Sequence, residues 1–163
     1  MSVCRGVWNF ARRERKDWLA SRRCPINACS LRGEYILPAD EPFPGYHVQA
    51  KRLTQAKKQF PALKTVNAQM LQQVLRKLET AWEAWWLKRA GLPRFKKQNR
   101  MRSFAFPQML KRCISRDGIK LPQLGWVKVR WSREIPELFT RPLARIEIMV
   151  CNRTIYQVHH GLR

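Results

Sequence analysis

Two-metal hydrolysis of a phosphodiester needs carboxylates gathered around ions about 4 Å apart. The acids Glu34, Asp40, Glu41, Asp117, Glu134, Glu137 and Glu147 are instead scattered among basic stretches, without a D-x-D, D-x-G or H-E-x-x-H spacing. Glu134, Glu137 and Glu147 therefore read as surface charges. His159 and His160 are adjacent, and neighbouring residues of a strand point to opposite faces, so they cannot share a metal. The five cysteines (Cys4, Cys24, Cys29, Cys113, Cys151) are odd in number and irregularly spaced, which speaks against a disulfide framework. Cys24 and Cys29 do not form a C-x-x-C, and no second pair follows at finger spacing, so reduced thiols rather than zinc ligands are expected. No Ser, Cys or Lys nucleophile constellation competes. These residues predict no catalytic centre, no metal, no cofactor and no small-molecule substrate.

The chemistry that remains is that of cations and aromatic rings. The 163 residues carry 33 Lys plus Arg against 11 Asp plus Glu, a formal net charge of +22. Self-repulsion at that charge opposes compaction, so a polyanion is the natural partner, and nucleic acid is the commonest one. Between Gly91 and Arg130 stand eleven Lys or Arg and one acid, Asp117, so +10 of the net charge lies in that stretch. Arg94, Lys96, Lys97, Arg100 and Arg102 alternate there with Phe95, Phe104 and Phe106, an interleaving suited to tracking a phosphate backbone while rings stack on or wedge against bases. Upstream candidates are Arg5, Arg12, Arg13 and Lys16, then Lys51, Arg52, Lys57 and Lys58. The bland reading of such faces is solvation, which only Glu14 and Asp17 moderate on the first of them.

Composition requires that a fold position these groups, because 45% of residues are apolar and seven are Trp. Val3, Val7, Trp8, Ala11, Trp18 and Leu19 share one face at 3.6-residue period and predict a helix from Val3 to about Arg22, closed by Pro25, whose other face carries Arg5, Arg12, Arg13, Lys16, Arg22 and Arg23. Residues 25–45, rich in Pro and Gly, read as a long loop with one helical turn at most. A second helix is predicted from about Tyr46 to Gln59, stopped by Pro61. The third is the clearest: Met70, Leu71, Val74, Leu75, Leu78, Trp82, Trp85 and Trp86 recur at three- and four-residue steps. Thr65 or Asn67 would cap it, Gly91 and Pro93 would end it after about 24 residues, and its tryptophans read as core. Strand signals follow at Ser103 to Phe106, Cys113 to Ser115, Ile119 to Leu121 after a turn at Asp117-Gly118, Trp126 to Trp131, Arg145 to Val150, and Thr154 to Val158 after Asn152-Arg153. Helices first and strands afterwards predict an α+β fold: a helical part over 1–92, then a basic segment and a small antiparallel β wedge or partial barrel over 93–163. No run of about 18 apolar residues and no secretory signal occurs, so no membrane partner and a cytoplasmic location are expected.

Five stretches, in order, resemble the N-terminal half of the TnpB (OrfB) proteins, the accessory transposases of prokaryotic insertion sequences, related to type V CRISPR effectors. They are Arg-Gly-Val-Trp-Asn from Arg5 to Asn9; Met70-Leu71-Gln72-Gln73 with Leu78 and Ala81-Trp82; Pro93-Arg94-Phe95-Lys96-Lys97; Met101 to Phe104 through Pro107-Gln108; and Ile119 to Gly125 leading into Val127-Lys128-Val129. The resemblance implies an RNA-guided DNA nuclease in a nucleoid-associated prokaryotic setting, whose helical recognition part and β-barrel wedge hold guide RNA and its DNA heteroduplex. Cleavage in that family belongs to a C-terminal RNase H-like domain with three carboxylates and an inserted Cys4 zinc element. Neither is matched here, nor is the basic first strand with which family members begin. The expectation is a nucleic-acid-binding fragment that serves guide-RNA and target-DNA binding in DNA transposition without its own nuclease centre. The alternative is a non-functional insertion-sequence remnant, or an interaction module acting only with a full-length relative.

Overall fold

Helix α1 spans Ser2–Arg23 and α2 spans Tyr46–Gln59. The computed structural model from which they are read describes residues 2–23, 37–38, 40–98, 100–101, 103–107, 114–115, 118–129, 146–151 and 154–160, the last two stretches and Ile114 by backbone alone. Cys24, Cys29, Glu34, Arg102, Cys113, Asp117, Trp131, Glu134 and Glu137 lie outside the described residues, as does most of the loop expected before Tyr46.

Phe60, held extended by the proline that follows it, separates α2 from the single turn α3 (Pro61–Lys64), in which Pro61 occupies the first helical position. Helix α4 (Ala68–Trp86) starts at Asn67, whose Oδ1 accepts the Gln69 N–H at 2.8 Å. It is 19 residues long, shorter than the 24 expected, because it stops well before Gly91. Lys88 takes the left-handed conformation (φ 56°), with its N–H donating to Trp85 O and the Arg89 N–H to Ala84 O, both at 2.9 Å. This is the Schellman pairing, in which a lysine holds the position usually given to glycine.

Cys4, Trp8 and Ala11 of α1 interlock with Leu71, Val74, Leu75, Leu78 and Trp82 of α4 to form the helical core, and Leu53, Leu63, Met70 and Trp85 pack around it. The core reading of the tryptophans holds for Trp82, which is fully buried, and is corrected at Trp86, which is 50% exposed. Trp86 stands on the last turn of its helix, where Phe43 covers one side at 4.8 Å between ring centroids.

Among the described residues six strands follow: β1 (Ser103–Phe106), β2 (Ile114–Ser115), β3 (Gly118–Leu121), β4 (Gly125–Lys128), β5 (Ile146–Cys151) and β6 (Thr154–His160). All pairings are antiparallel, in two three-stranded sheets ordered β1-β5-β6 and β2-β3-β4, and neither closes into a barrel among the described residues. The α+β class is as expected, with the partial barrel realised as two open sheets. A Cβ on Gly118 would stand 2.4 Å from Val127 O, so the pairing of β3 with β4 requires glycine there. Strand β1 packs on α4, with Lys77 Nζ 3.4 Å from Ser103 Oγ. No helix among the described residues is long and apolar enough to cross a membrane.

Candidate nucleic-acid interface

On a helix of 3.6 residues per turn, a residue four positions on lies about 40° around the axis, and one seven positions on about 20° short of eclipse. Starting from the buried Trp8, Arg12 and Arg15 therefore fall on the apolar stripe of α1, and Arg13 and Lys16 on its outer side. The structure bears this out: Arg13 and Lys16 are exposed, Arg5 is half-buried, and Arg12 is 7% exposed. Placing Arg12 on the outward face is thereby corrected.

Arg15, absent from the expected site, is buried completely. Its Nε and Nη2 donate to Gln49 Oε1 of α2 at 3.1 and 3.0 Å, and Nη2 pairs with Glu79 Oε2 of α4 at 2.5 Å. Gln49 Nε2 donates onward to Ala11 O and Glu14 Oε2, both at 2.9 Å. Burial lowers the Arg15 pKa from its ordinary value, and Glu79 opposes that shift. One cation thus ties three helices in register and is unavailable to a ligand. Arg52 is also engaged: its two terminal nitrogens pair with Glu14 and Glu41, each at 3.1 Å. On the same helix Lys51 and Lys58 are exposed and Lys57 is half-buried.

The extended run 93–97 lies along α1 and is held by side chains of one helix face. Arg12 Nε donates to Pro93 O at 2.9 Å, and Trp8 Nε1 to Arg94 O at 3.1 Å. Asn9 closes a two-way bridge with Lys96: its Nδ2 donates to Lys96 O at 3.1 Å, and its Oδ1 accepts the Lys96 N–H at 2.8 Å. Lys96 Nζ lies 4.9 Å from the centre of the Trp8 ring, and the Arg12 guanidinium carbon 3.9 Å from the centre of Phe95. Burial lowers the Arg12 pKa, with Asp17 opposing. The stretches Arg5 to Asn9 and Pro93 to Lys97, distant in sequence, are therefore one contact in space. With its peptide groups occupied toward the helix, the run leaves Arg94 and Lys97 exposed, and Arg100 is exposed just beyond.

The aromatic candidates separate. Phe106 is buried and meets Phe104 edge-on at 5.8 Å, which removes it from any base, whereas Phe95 is 44% exposed. Trp8 and Asn9, which build the clamp, were not expected. Their signal is that Trp8 on the apolar stripe and Asn9 beside it each carry a hydrogen-bonding head. Among the described residues no three His, Cys, Asp or Glu gather as a metal-holding group.

No protein-family model matches the chain. Over 73 residues it is 42% identical to the Escherichia coli (strain K12) protein named "Putative RNA-guided DNA endonuclease InsQ". That stretch is 45% of this chain and 18% of the length of that protein. The similarity supports in part the relationship to which the five sequence stretches pointed.

Proposed function

We propose that this chain is a nucleic-acid-binding part of a TnpB-type RNA-guided endonuclease, serving guide-RNA and target-DNA binding in transposition, with the cutting carboxylates outside it. The 42% identity to InsQ over 73 residues carries the reading. It is supported by the outward display of Arg13, Lys16, Lys51, Lys58, Arg94, Lys97 and Arg100. In this reading residues 1–92 form a recognition-like unit and 93–163 a wedge-like one. Backbone contacts then position the strand and base pairing with a guide supplies sequence choice, so base-specific protein contacts are not required.

The test is fluorescence anisotropy of the full chain with single-stranded RNA and with duplex DNA across a salt series. Neutralising about eight phosphates gives a slope of log K on log salt near −6 for a single strand and −7 for B-DNA. A slope near zero, or equal binding of a polyanion without ribose, overturns the proposal.

A second reading, an interaction module acting with a full-length relative, draws on an apolar groove of about 520 Å³ between α1 and the α2–α3 corner, lined by Val7, Phe10, Leu53, Phe60 and Leu63. Co-purification with the full-length protein, lost in Phe10→Ser, would favour it.

A further inference from the structure

We infer that Phe95 is a pre-oriented stacking platform for an unpaired nucleobase of a single strand, with Arg12 the positioning residue locked behind its ring. The inference rests on the nucleic-acid reading above and deepens it.

An exposed phenylalanine on a basic loop would ordinarily lose rotational freedom on binding, at a cost to affinity. Phe95 has lost much of it already. Its backbone is fixed on both sides, by Trp8 and Arg12 at residues 93–94 and by Asn9 at Lys96. One face of its ring is covered by the Arg12 guanidinium at 3.9 Å, and the residue still exposes 44% of its surface. Arg12 is itself anchored through Nε to Pro93 O, which sets its plane over the ring.

Arg12 also carries an unmet need. It is 7% exposed, its Nη1 has no hydrogen-bond partner among the described residues, and no ion pair is formed with it there. A buried cation that has a ring face and the nearby Asp17 charge, but no ion pair among the described residues, is costly on its own, and it gains when anionic phosphates arrive nearby. Arg94 and Lys97, exposed on either side of Phe95, are placed to hold the phosphates that flank a stacked base. A base on the open face completes a guanidinium, phenyl and nucleobase stack. Base-on-aromatic stacking tolerates any sequence, which suits a protein whose sequence choice comes from a guide. Phe10, Phe60, Trp86 and Trp126 are exposed rings as well, but among the described residues none of them has an arginine stacked on one face, and Trp86 rests on Phe43 at a tilt of 56°.

The experiment uses the full chain, a 12-nucleotide single-stranded RNA, the DNA of the same sequence, and an abasic version of each, read by anisotropy over a salt series. Phe95→Leu keeps apolar volume without a π face and is expected to weaken binding about 5- to 150-fold while leaving the salt slope unchanged. Phe95→Tyr binds like the parent, and the abasic strands bind the parent as weakly as the intact strand binds Phe95→Leu. Arg12→Lys keeps the charge but not the planar stack; it costs about 3- to 10-fold in the parent and nothing further in Phe95→Leu. Dependence on Phe95 with RNA, DNA or both supports the inference and tells which strand supplies the base. Salt-dependent binding with Phe95→Leu equal to the parent overturns the inference and leaves the nucleic-acid reading standing. The same holds if Phe95→Leu and Phe95→Tyr behave alike, which would make the ring a plain apolar contact. Absence of salt-dependent binding by the parent overturns both. Should Arg12→Lys fail to fold, the Phe95 series and the abasic strands decide alone.

Discussion

Replacing Asn9 by Ala removes both hydrogen bonds that its side chain makes with the Lys96 backbone, at 3.1 and 2.8 Å. Each is worth about 1 kcal/mol net, so opening of residues 93–97 from α1 becomes easier by about 2 kcal/mol. That is about a 30-fold rise in the open population. Global stability should change less, because Asn9 itself is not part of the buried cluster around Trp82. Native-state hydrogen exchange reads the difference directly: the Lys96 amide is itself the donor to Asn9, and it should exchange about 30-fold faster while the α4 amides of Leu75 and Leu78 keep their protection. In binding, the freed run no longer presents Arg94 and Lys97 together, so the salt slope should shrink by about 1 to 2. Asn9→Asp keeps the acceptor for the Lys96 N–H and loses the donor to Lys96 O, and should fall between the two. An unchanged Lys96 exchange rate in Asn9→Ala would refute the clamp. An equal acceleration of Leu75 and Lys96 would show that Asn9 supports the whole fold rather than this segment.

Glu79→Ala leaves the fully buried Arg15 without its counter-ion; breaking a buried pair costs about 3–5 kcal/mol, and partial water access at Glu79 brings the expected loss to about 2–3 kcal/mol in urea unfolding, most of it recovered in Arg15→Met/Glu79→Met. Lys88→Gly relieves the left-handed backbone at the end of α4 and should raise the urea-derived stability by about 1 kcal/mol. Burial raises the Cys4 pKa above its ordinary value of 9.0, so the folded state holds the proton more tightly than the unfolded one. The resulting stability is whole below pH 9 and is lost as pH climbs through the folded-state value. Thermal midpoints of the parent should therefore fall more steeply above pH 9 than those of Cys4→Ala.

Most of the helical fold was legible because the apolar period is carried by large residues. Leu71, Val74, Leu75, Leu78 and Trp82 of α4 face Cys4, Trp8 and Ala11 of α1, and both stripes stand out in the sequence. Helix α2 was legible at about its observed bounds, since apolar periodicity resumes at Tyr46 and Pro61 punctuates its end. The end of α4 was not, because the left-handed position fell on a lysine that carries no such signal, while Gly91 carries it and goes unused. Strand positions could be read from alternation and turns. Partners could not: β1 pairs with β5, some forty residues away, and no local pattern distinguishes β5 from β3 or β4 as its neighbour.

For the interface, sequence reasoning counted cations and sorted them by type, whereas the structure sorts them by angle around α1. Arg12 and Arg15 belong to the apolar stripe by periodicity alone, 4 and 7 residues after Trp8, and that arithmetic was available from the start. A charge on such a stripe must find a partner inside or leave it. Arg15 finds Glu79, so the sequence clue was a pair of opposite charges, each on the apolar face of its own helix. Among the described residues Arg12 finds no acid within ion-pair reach, and it lies on Phe95 instead. The two inward arginines therefore do different work. One is neutralised by protein and fixes how α1, α2 and α4 pack. The other has the Asp17 charge nearby but no ion pair among the described residues, and it lies one ring away from solvent, where the exposed basic run begins. A high net charge spread over a surface calls for a polyanion of any kind; a fixed cation behind an open aromatic face, flanked by Arg94 and Lys97, calls for a base attached to phosphates.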